Sequence, residues 1–154
     1  AHCFAGEFSF LRNDVTCPAS MESTFAGTGG WRALRDAAVA EKGLPEDSPV
    51  DGRRVFEWIE NGDVAAQRAL DRYARAFDAQ LVNLQAVIDP EVFVIAGGIS
   101  CHPELIDALR KQMPAALAGY ESALAGIPEP QIKAAELGND ANLVGAVQEA
   151  MRLQ

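Results

Sequence analysis

The stretch VFVIAGGIS, Val92–Ser100, decides the fold. Its apolar residues include β-branched and aromatic side chains with no polar alternation, which predicts a strand that is covered on both faces. Gly97 and Gly98 follow directly and remove side chains from the end of that strand. Because glycine lets another molecule approach the main chain closely, we expect the strand to end at a ligand-binding turn.

A long amphipathic helix is predicted before this strand. Between Asp63 and Ile88 apolar residues recur at steps of three and four, the period of a helix with one buried stripe. Asp63 places a carboxylate at the positive end of the helix dipole, and Asp89-Pro90 ends the helix, since the residue before a proline avoids helical geometry. The opposite, solvent side of this helix is predicted to carry Arg68, Asp71, Arg72, Arg75 and Asp78.

A second strand and two further helices are predicted after the stretch Val92–Ser100. Pro103 opens the next helix at a position where its missing N–H costs nothing, and Pro114 should bend or interrupt that helix. QIKAAEL, from Gln131, predicts a strand, and GNDANLVGAVQEAM predicts a last helix with Asp140 as its N-cap. The inner face of that helix is predicted to consist of Leu143, Val144, Val147 and Met151.

The order helix–strand–helix–strand–helix predicts a parallel strand pair in an α/β layer. In such layers ligands bind at the carboxyl ends of the strands, which is where the turns IAGGIS and LGNDA lie.

The earlier part of the chain has weaker signals. Ala1–Ser23 predicts a strand and then an irregular loop, and Ser23–Lys42 predicts a helix. The loop Gly43–Gly52 leads into a short helix that Asp51 or Ser48 caps.

Composition restricts the classes of function. The 154 residues suffice for one domain with its own core, and the apolar runs are too short to cross a bilayer. A formal net charge of −9 repels phosphate backbones, so we expect no direct contact with nucleic acid. Cys3, Cys17 and Cys101 form no paired spacing, which favours a reducing cytoplasm over a disulfide framework.

Two acidic residues and one histidine are the candidate ligands outside the glycine turns. Glu7, in CFAGEFSF, and Glu22, in CPASMEST, can each accept hydrogen bonds from polyol hydroxyls. The alternatives are that Glu7 lies on the solvent face of a strand and that Glu22 lies in the first turn of a helix, where acids are favoured. His102 precedes Pro103 in no metal-ligand spacing, so we expect a helix-entry residue and no metal.

Three blocks of sequence together resemble a known family. They are AGEF, then ENGDVAAQRALDRYARAFDAQLVNLQAVIDPEVFVIAGGIS, and finally AAELGNDANLVGAVQEA. In this order they resemble the C-terminal half of a ROK (repressor, open reading frame, kinase) protein. The resemblance implies an actin-like, ribonuclease-H-like α/β ATPase fold in two lobes, with 1–154 as the helix-rich C-terminal lobe. The missing initiator methionine agrees with this expectation of a fragment.

The resemblance also implies a function and site residues. ROK proteins are ATP-dependent sugar kinases or sugar-responsive transcriptional repressors, commonly homodimers, so the expected ligands of the parent protein are a sugar, ATP and Mg²⁺. Glu7 matches a sugar-binding glutamate in the GE-x-GH motif, and Glu22 matches a second one in the GC-x-E motif. Gly97 and Gly98 match glycines that border the nucleotide.

This sequence departs from the family pattern at several positions. Phe10 and Ser9 replace the histidine and glycine of the first motif, and the family's zinc motif is reduced to Cys17, so we expect no zinc. Neither the catalytic aspartate nor the DxGGT phosphate loop of the other lobe is present. We therefore expect the C-terminal domain of a ROK-type sugar kinase, inactive in isolation. The alternatives are a sugar-sensing effector domain without kinase activity and an assembly domain that binds neither ligand.

Overall fold

The computed structural model describes residues 7–12, 15–120, 122 and 129–152. In these ranges the chain is rich in helix, with a two-stranded parallel sheet. The helices are α1 (Phe25–Gly29), α2 (Trp31–Glu41), α3 (Gly52–Glu60), α4 (Val64–Ile88), α5 (Pro103–Leu117) and α6 (Ala141–Arg152), and the strands are β1 (Val92–Ile95) and β2 (Gln131–Ala134). Short 3-10 turns cover Phe8–Phe10, Met21–Ser23, Gly98–Cys101 and Gly138–Asp140.

Helix α4 confirms the element predicted from the apolar period. Asp63 is its N-cap, and one carboxylate oxygen accepts hydrogen bonds of 3.0 Å from the N–H groups of Ala65 and Ala66. The same carboxylate pairs with the ammonium group of Lys42. The hydrogen bond from Lys42, followed by those from the backbone, lowers the pKa of Asp63. At the other end, Asp89 adopts a left-handed conformation and terminates the helix.

One apolar core joins α4 to its neighbours. Helix α4 packs against α2 and α5, and α3 closes the same core. Leu34 of α2, Phe56 of α3, Leu70 of α4 and Leu109 of α5 are each at most 1% exposed. Burying a side chain of this kind contributes about 1.5–3 kcal/mol relative to leaving it in water. The stripe of α4 is therefore the surface on which the other helices assemble.

The two strands are parallel, as the order of elements predicts. Val92 lies opposite Gln131, and just beyond the strands the N–H of Ala135 donates a 2.8 Å hydrogen bond to the carbonyl of Ile95. Both strands point their carboxyl ends toward one edge of the sheet. The turns 98–101 and 138–140 follow the strands and contact each other at that edge.

Helix α5 and strand β2 differ in length from the prediction. Helix α5 begins at Pro103, as predicted, but it continues through Pro114 and ends at Leu117, so that proline does not interrupt it. Strand β2 ends at Ala134, whereas the sequence predicted it to continue to Leu137. In the part of the chain that the structure describes, no helix is both long and apolar enough to span a membrane.

The beginning of the chain also corrects the sequence-based expectation. Residues 1–6 lie outside the described residues, but Phe8–Phe10 form a 3-10 turn and not a strand. The helix predicted over Ser23–Lys42 is divided into α1 and α2, because Gly30 between them has extended backbone angles. Of the two candidate caps of α3, Asp51 is the one used, and its side chain accepts a hydrogen bond from Arg54 N–H at 2.8 Å.

Two apolar surfaces predicted to be buried are exposed. Val94 of β1 is 57% exposed, while Phe93 and Ile95 on the other face of the strand pack against the core. The predicted inner face of α6 is exposed as well, at 66%, 40%, 57% and 70% for Leu143, Val144, Val147 and Met151. Helix α6 contacts chiefly the turn that precedes it. An apolar pattern identifies a face that favours burial, but it does not supply the element that covers it.

A carboxyl group that the sequence placed on the solvent side of α4 lies in the core. Asp78 is 0% exposed, because α4 is enclosed from two sides and its buried arc is wider than one stripe. Neither oxygen of the Asp78 carboxyl has a hydrogen-bond partner among the described residues. Burial, with a smaller contribution from the charge of Glu129, raises the pKa of Asp78 to about 8. The group is therefore mainly protonated at neutral pH.

The original protein should lose stability as pH rises, because Asp78 keeps its proton only in the folded chain. We expect Asp78→Asn to abolish this loss. The unfolded chain releases this proton near its usual pKa of 3.8, while the folded chain retains it until about pH 8. The free energy of unfolding should therefore fall between these values, by about 2 kcal/mol or more relative to the variant. Urea denaturation at pH 5 and pH 8 measures this difference.

The control is Asp107→Asn, because the side chain of Asp107 is 76% exposed. This variant should follow the pH dependence of the original protein. If Asp78→Asn shows the same pH dependence of stability as the original protein, the Asp78 carboxyl is not buried in its protonated form in solution.

Candidate functional site

The turn after β1 presents open backbone at the carboxyl edge of the sheet. Gly97 has a φ of 96°, a backbone conformation that residues other than glycine rarely adopt. A Cβ atom added to Gly98 would meet no atom of the described chain within 4 Å. The hydroxyl of Ser100 donates to the carbonyl of Gly97 at 2.8 Å, so the turn is held from within. Its outer side is left free for an approaching molecule.

The turn after β2 lies beside the first one. Gly138 has a φ of 50°, and its turn contacts the turn 98–101. An open cavity of about 270 Å³ adjoins this edge, although Gly97 and Gly98 do not line it. Its lining residues are Ser100, Cys101, Pro103, Ile106, Asp107, Arg110 and Ala134. The guanidinium of Arg110 donates to the carbonyl of Ile132 at 2.8 Å, which holds a positive charge beside the cavity.

Glu7 lines a second, separate hollow near the beginning of the chain. Its Oε1 atom accepts a 3.1 Å hydrogen bond from the N–H of Ser9 and caps the turn Phe8–Phe10. Hydrogen bonds from Ser9 lower the pKa of Glu7, so its carboxylate stays ionised and remains an acceptor. The hollow measures about 430 Å³ and is lined by Glu7, Phe8, Ser9, Phe25, Ala26, Gly29, Gly30 and Phe77.

Aromatic side chains from α1 and α4 form the apolar part of this hollow. The rings of Phe25 and Phe77 meet edge to face with centroids 5.1 Å apart. The buried hydroxyl of Tyr73 donates to the carbonyl of Gly29 at 2.5 Å, which fixes α1 against α4. Burial raises the pKa of Tyr73, so its hydroxyl remains a donor. The hollow thus combines a carboxylate acceptor with an aromatic wall.

Glu22 lies on a different segment from Glu7. It is exposed in the 3-10 turn Met21–Ser23, and a hydrogen bond with the side chain of Ser20 lowers its pKa. Glu22 does not line the hollow that holds Glu7, so the structure does not bring the two predicted sugar ligands into one described cavity. Helix α1 connects them, because it packs against the turn of Glu22 and also borders the hollow.

Some residues around these cavities were not identified as site residues from the sequence. Phe25, Tyr73 and Phe77 were predicted only as the apolar face of a helix, and Arg110 carried no signal. An apolar residue at helical spacing has the same pattern whether it fills a core or lines a hollow. The glycine pair, by contrast, was found because a strand that ends in consecutive glycines is a local feature.

Comparisons with known proteins give a consistent result. The ROK family model matches residues 11–152. The chain is 35% identical over 124 residues to the bifunctional enzyme NanE/NanK of Brucella melitensis, which covers 78% of this chain and 22% of that enzyme. It is 31% identical over 159 aligned residues to the glucokinase of Streptomyces coelicolor, which covers 92% of this chain and 49% of that protein.

A solved structure agrees with these sequence comparisons. The crystal structure of a ROK family glucokinase from Streptomyces griseus, in complex with glucose and AMPPNP, matches the chain with a TM-score of 0.75 at 28% identity. The match covers 94% of this chain and 51% of the glucokinase chain. The chain thus spans about half the length of these two glucokinases and less than a quarter of the bifunctional enzyme.

We expect Gly27→Ala to destabilise the segment that carries Glu22. A Cβ atom at Gly27 would lie 2.3 Å from the carbonyl oxygen of Met21 and 2.7 Å from the Cα of Glu22, and backbone atoms cannot turn aside as a side chain can. The expected loss is about 1–3 kcal/mol in the free energy of unfolding, measured by urea denaturation. Gly52→Ala is the matched control, because its Cβ would meet the Trp31 ring at an ordinary 3.6 Å. Equal effects of the two substitutions would show that Gly27 is not in close contact with this turn.

Proposed function

This chain belongs to the ROK family, and from that membership we propose that it is the C-terminal lobe of an ATP-dependent sugar kinase. The α/β actin-like ATPase fold implied by the family resemblance is confirmed by the similarity to solved ROK structures. The proposed reaction transfers a phosphoryl group from ATP to a sugar hydroxyl. The observation that carries the proposal is the open turn at Gly97 and Gly98 on the carboxyl edge of a parallel strand pair.

The nucleotide side of the proposed site lies at this turn. We place ATP there because no atom of the described chain lies within 4 Å of the position where a Cβ of Gly98 would stand. The Arg110 guanidinium beside the adjoining cavity supplies a positive charge that phosphate oxygens favour. A glucokinase of the same family was solved with AMPPNP, which agrees with ATP as the phosphate donor. Mg²⁺ belongs to the proposal because it neutralises charge between the β- and γ-phosphates.

The sugar side of the proposed site is the hollow that Glu7 lines. An ionised carboxylate accepts hydrogen bonds from hydroxyl groups, and an aromatic wall suits the C–H face of a sugar ring. Glu7 and the pair Phe25 and Phe77 offer this combination. We also propose Glu22 as a second sugar ligand. It does not line this hollow, but its turn packs against α1, which borders the hollow.

Phosphoryl transfer requires further groups. A base must accept the proton of the attacking hydroxyl, and the phosphates must be held in line with it. The family resemblance assigns these tasks to an aspartate and a DxGGT loop of the other lobe, and no DxGGT sequence occurs in these 154 residues. We therefore propose that residues 1–154 bind ligands but do not catalyse the reaction alone. A cytoplasmic homodimer is part of the same proposal.

One departure from the family pattern favours a second function. Phe10 and Ser9 occupy the positions of the family's motif histidine and glycine, and a phenyl ring cannot hydrogen-bond a sugar hydroxyl as an imidazole can. Phe10 is 52% exposed, so its side chain is not part of the apolar core. This substitution favours a sugar-sensing effector domain of a ROK-type transcriptional regulator. The two functions differ in one measurable respect, which is turnover of ATP in the presence of the sugar that binds.

We expect Glu7→Gln in the full-length protein to raise the KM for the sugar about tenfold, which corresponds to one charged hydrogen bond. The reason is that the amide replaces one acceptor oxygen with donors, while the KM for ATP should stay unchanged. Steady-state kinetics over a panel of sugars measures both constants, and Glu46→Gln, an exposed loop residue, is the control. An unchanged sugar KM in Glu7→Gln would remove Glu7 from the site. If no sugar stimulates ATP turnover, calorimetric titration with the same sugars tests Glu7 for the effector function.

We expect Gly98→Val to raise the KM for ATP about tenfold or more while leaving the melting temperature unchanged. A Cβ atom at this position would meet no atom of the described chain within 4 Å, so the added side chain should obstruct a bound nucleotide rather than the protein. Ala118→Val, an exposed residue after α5, is the matched control. A Gly98→Val protein with normal stability and a normal KM for ATP would show that the nucleotide does not contact this turn.

A further inference from the structure

Three side chains with metal-ligating atoms converge behind the glycine turn. Glu60 is the last residue of α3, His102 lies between the turn 98–101 and α5, and Glu104 is in the first turn of α5. One ligand atom from each side chain lies within 4.8 Å of the other two. The distance between Nδ1 of His102 and Oε1 of Glu60 is 3.7 Å, which is too long for a hydrogen bond. The three groups therefore face one another across a gap.

The imidazole of His102 is held in place independently of these carboxylates. Its ring stacks on Phe56 with centroids 3.8 Å apart and an angle of 1° between the planes. Phe56 itself is only 1% exposed, so this support is part of the core. The carbonyl of His102 accepts a 3.1 Å hydrogen bond from the N–H of Leu105, which fixes the backbone. A ligand that is already oriented loses little freedom when an ion binds.

A separate observation indicates that this cluster lacks a partner. The Oε2 atom of Glu104 has almost no accessible surface and no hydrogen-bond partner among the described residues. Buried carboxylate oxygens are normally satisfied, so an unpartnered one calls for an explanation. Glu60 also stands at the C-terminal end of α3, where the partial negative charge of a helix favours a cation.

Although the sequence led us to expect no metal at His102, we propose that Glu60, His102 and Glu104 bind a divalent ion of the zinc type, with water completing its coordination. One imidazole nitrogen and two carboxylate oxygens suit such an ion, whereas Mg²⁺ prefers oxygen ligands alone. Ligand bonds of about 2.0–2.2 Å place neighbouring ligand atoms about 3–4 Å apart. Binding therefore requires the ligand atoms, which now lie within 4.8 Å of one another, to move closer together.

The bound ion ties the end of α3 to the start of α5. His102 directly follows the turn 98–101, so the ion also anchors the backbone on one side of the glycine turn. With three protein ligands, the site is weaker than a four-ligand structural zinc site and fills according to metal concentration. It uses none of the residues of the family's zinc motif, and it does not depend on the proposed kinase activity.

The test uses the full-length protein, freed of metal with a chelator and titrated with ZnCl₂ by isothermal calorimetry. We expect Glu60→Gln to bind one equivalent fewer, or to bind that equivalent about tenfold or more weakly, since even indirect partners of a metal ligand contribute about that much. The Glu60 side chain is 51% exposed, so this variant keeps its fold. The control is Glu57→Gln on the same helix, which should bind zinc as the original protein does.

A second measurement identifies the ligand atoms. Co²⁺ bound at this site should give visible bands without a thiolate charge-transfer band, because no cysteine takes part, and His102→Ala should abolish those bands. The proposal is overturned if Glu60→Gln and the original protein bind zinc with equal stoichiometry and affinity, or if neither binds it. If His102→Ala fails to fold, Glu60→Gln alone decides the matter.

Discussion

Burial of the apolar stripe of α4 is the constraint on which the rest of the structure depends. Helix α2 packs against it from one side and α5 from the other. Tyr73 and Phe77 extend that stripe toward α1, where they hold Gly29 and Phe25 in place beside the hollow of Glu7. Helix α5, on its other side, begins directly after the turn of Gly98. Both halves of the proposed site are therefore positioned by one helix.

Features whose cause is local could be predicted from the sequence. The extent of α4 follows from its apolar period and from the capping carboxylate of Asp63, and the parallel strand pair follows from the order of elements. Burial was predicted less well because it depends on the neighbours of a segment. Val94 and the apolar face of α6 have the composition of buried positions and are exposed, whereas Asp78 has the composition of a solvent position and is buried.

The residues of the candidate site also differ in whether a local feature of the sequence could predict them. Gly97 and Gly98 were identified because consecutive glycines after a strand have a direct backbone consequence. Glu7 and Glu22 were candidates as carboxylate acceptors, and only the family motifs assigned them to a sugar. Glu7 precedes and caps the 3-10 turn Phe8–Phe10, whereas the mixed apolar and polar residues of this segment had predicted a strand. The cluster around His102 joins α3 to α5, and residue spacing along the chain carries no trace of that contact.

The exposed faces of β1 and α6 have a consequence for the behaviour of the chain in solution. In the described residues the sheet has two strands, so each of them has a side that pairs with no other described strand. Val94 and the apolar residues of α6 add surface that water solvates poorly. Both features favour contact with a covering surface, which the described residues of this chain do not supply.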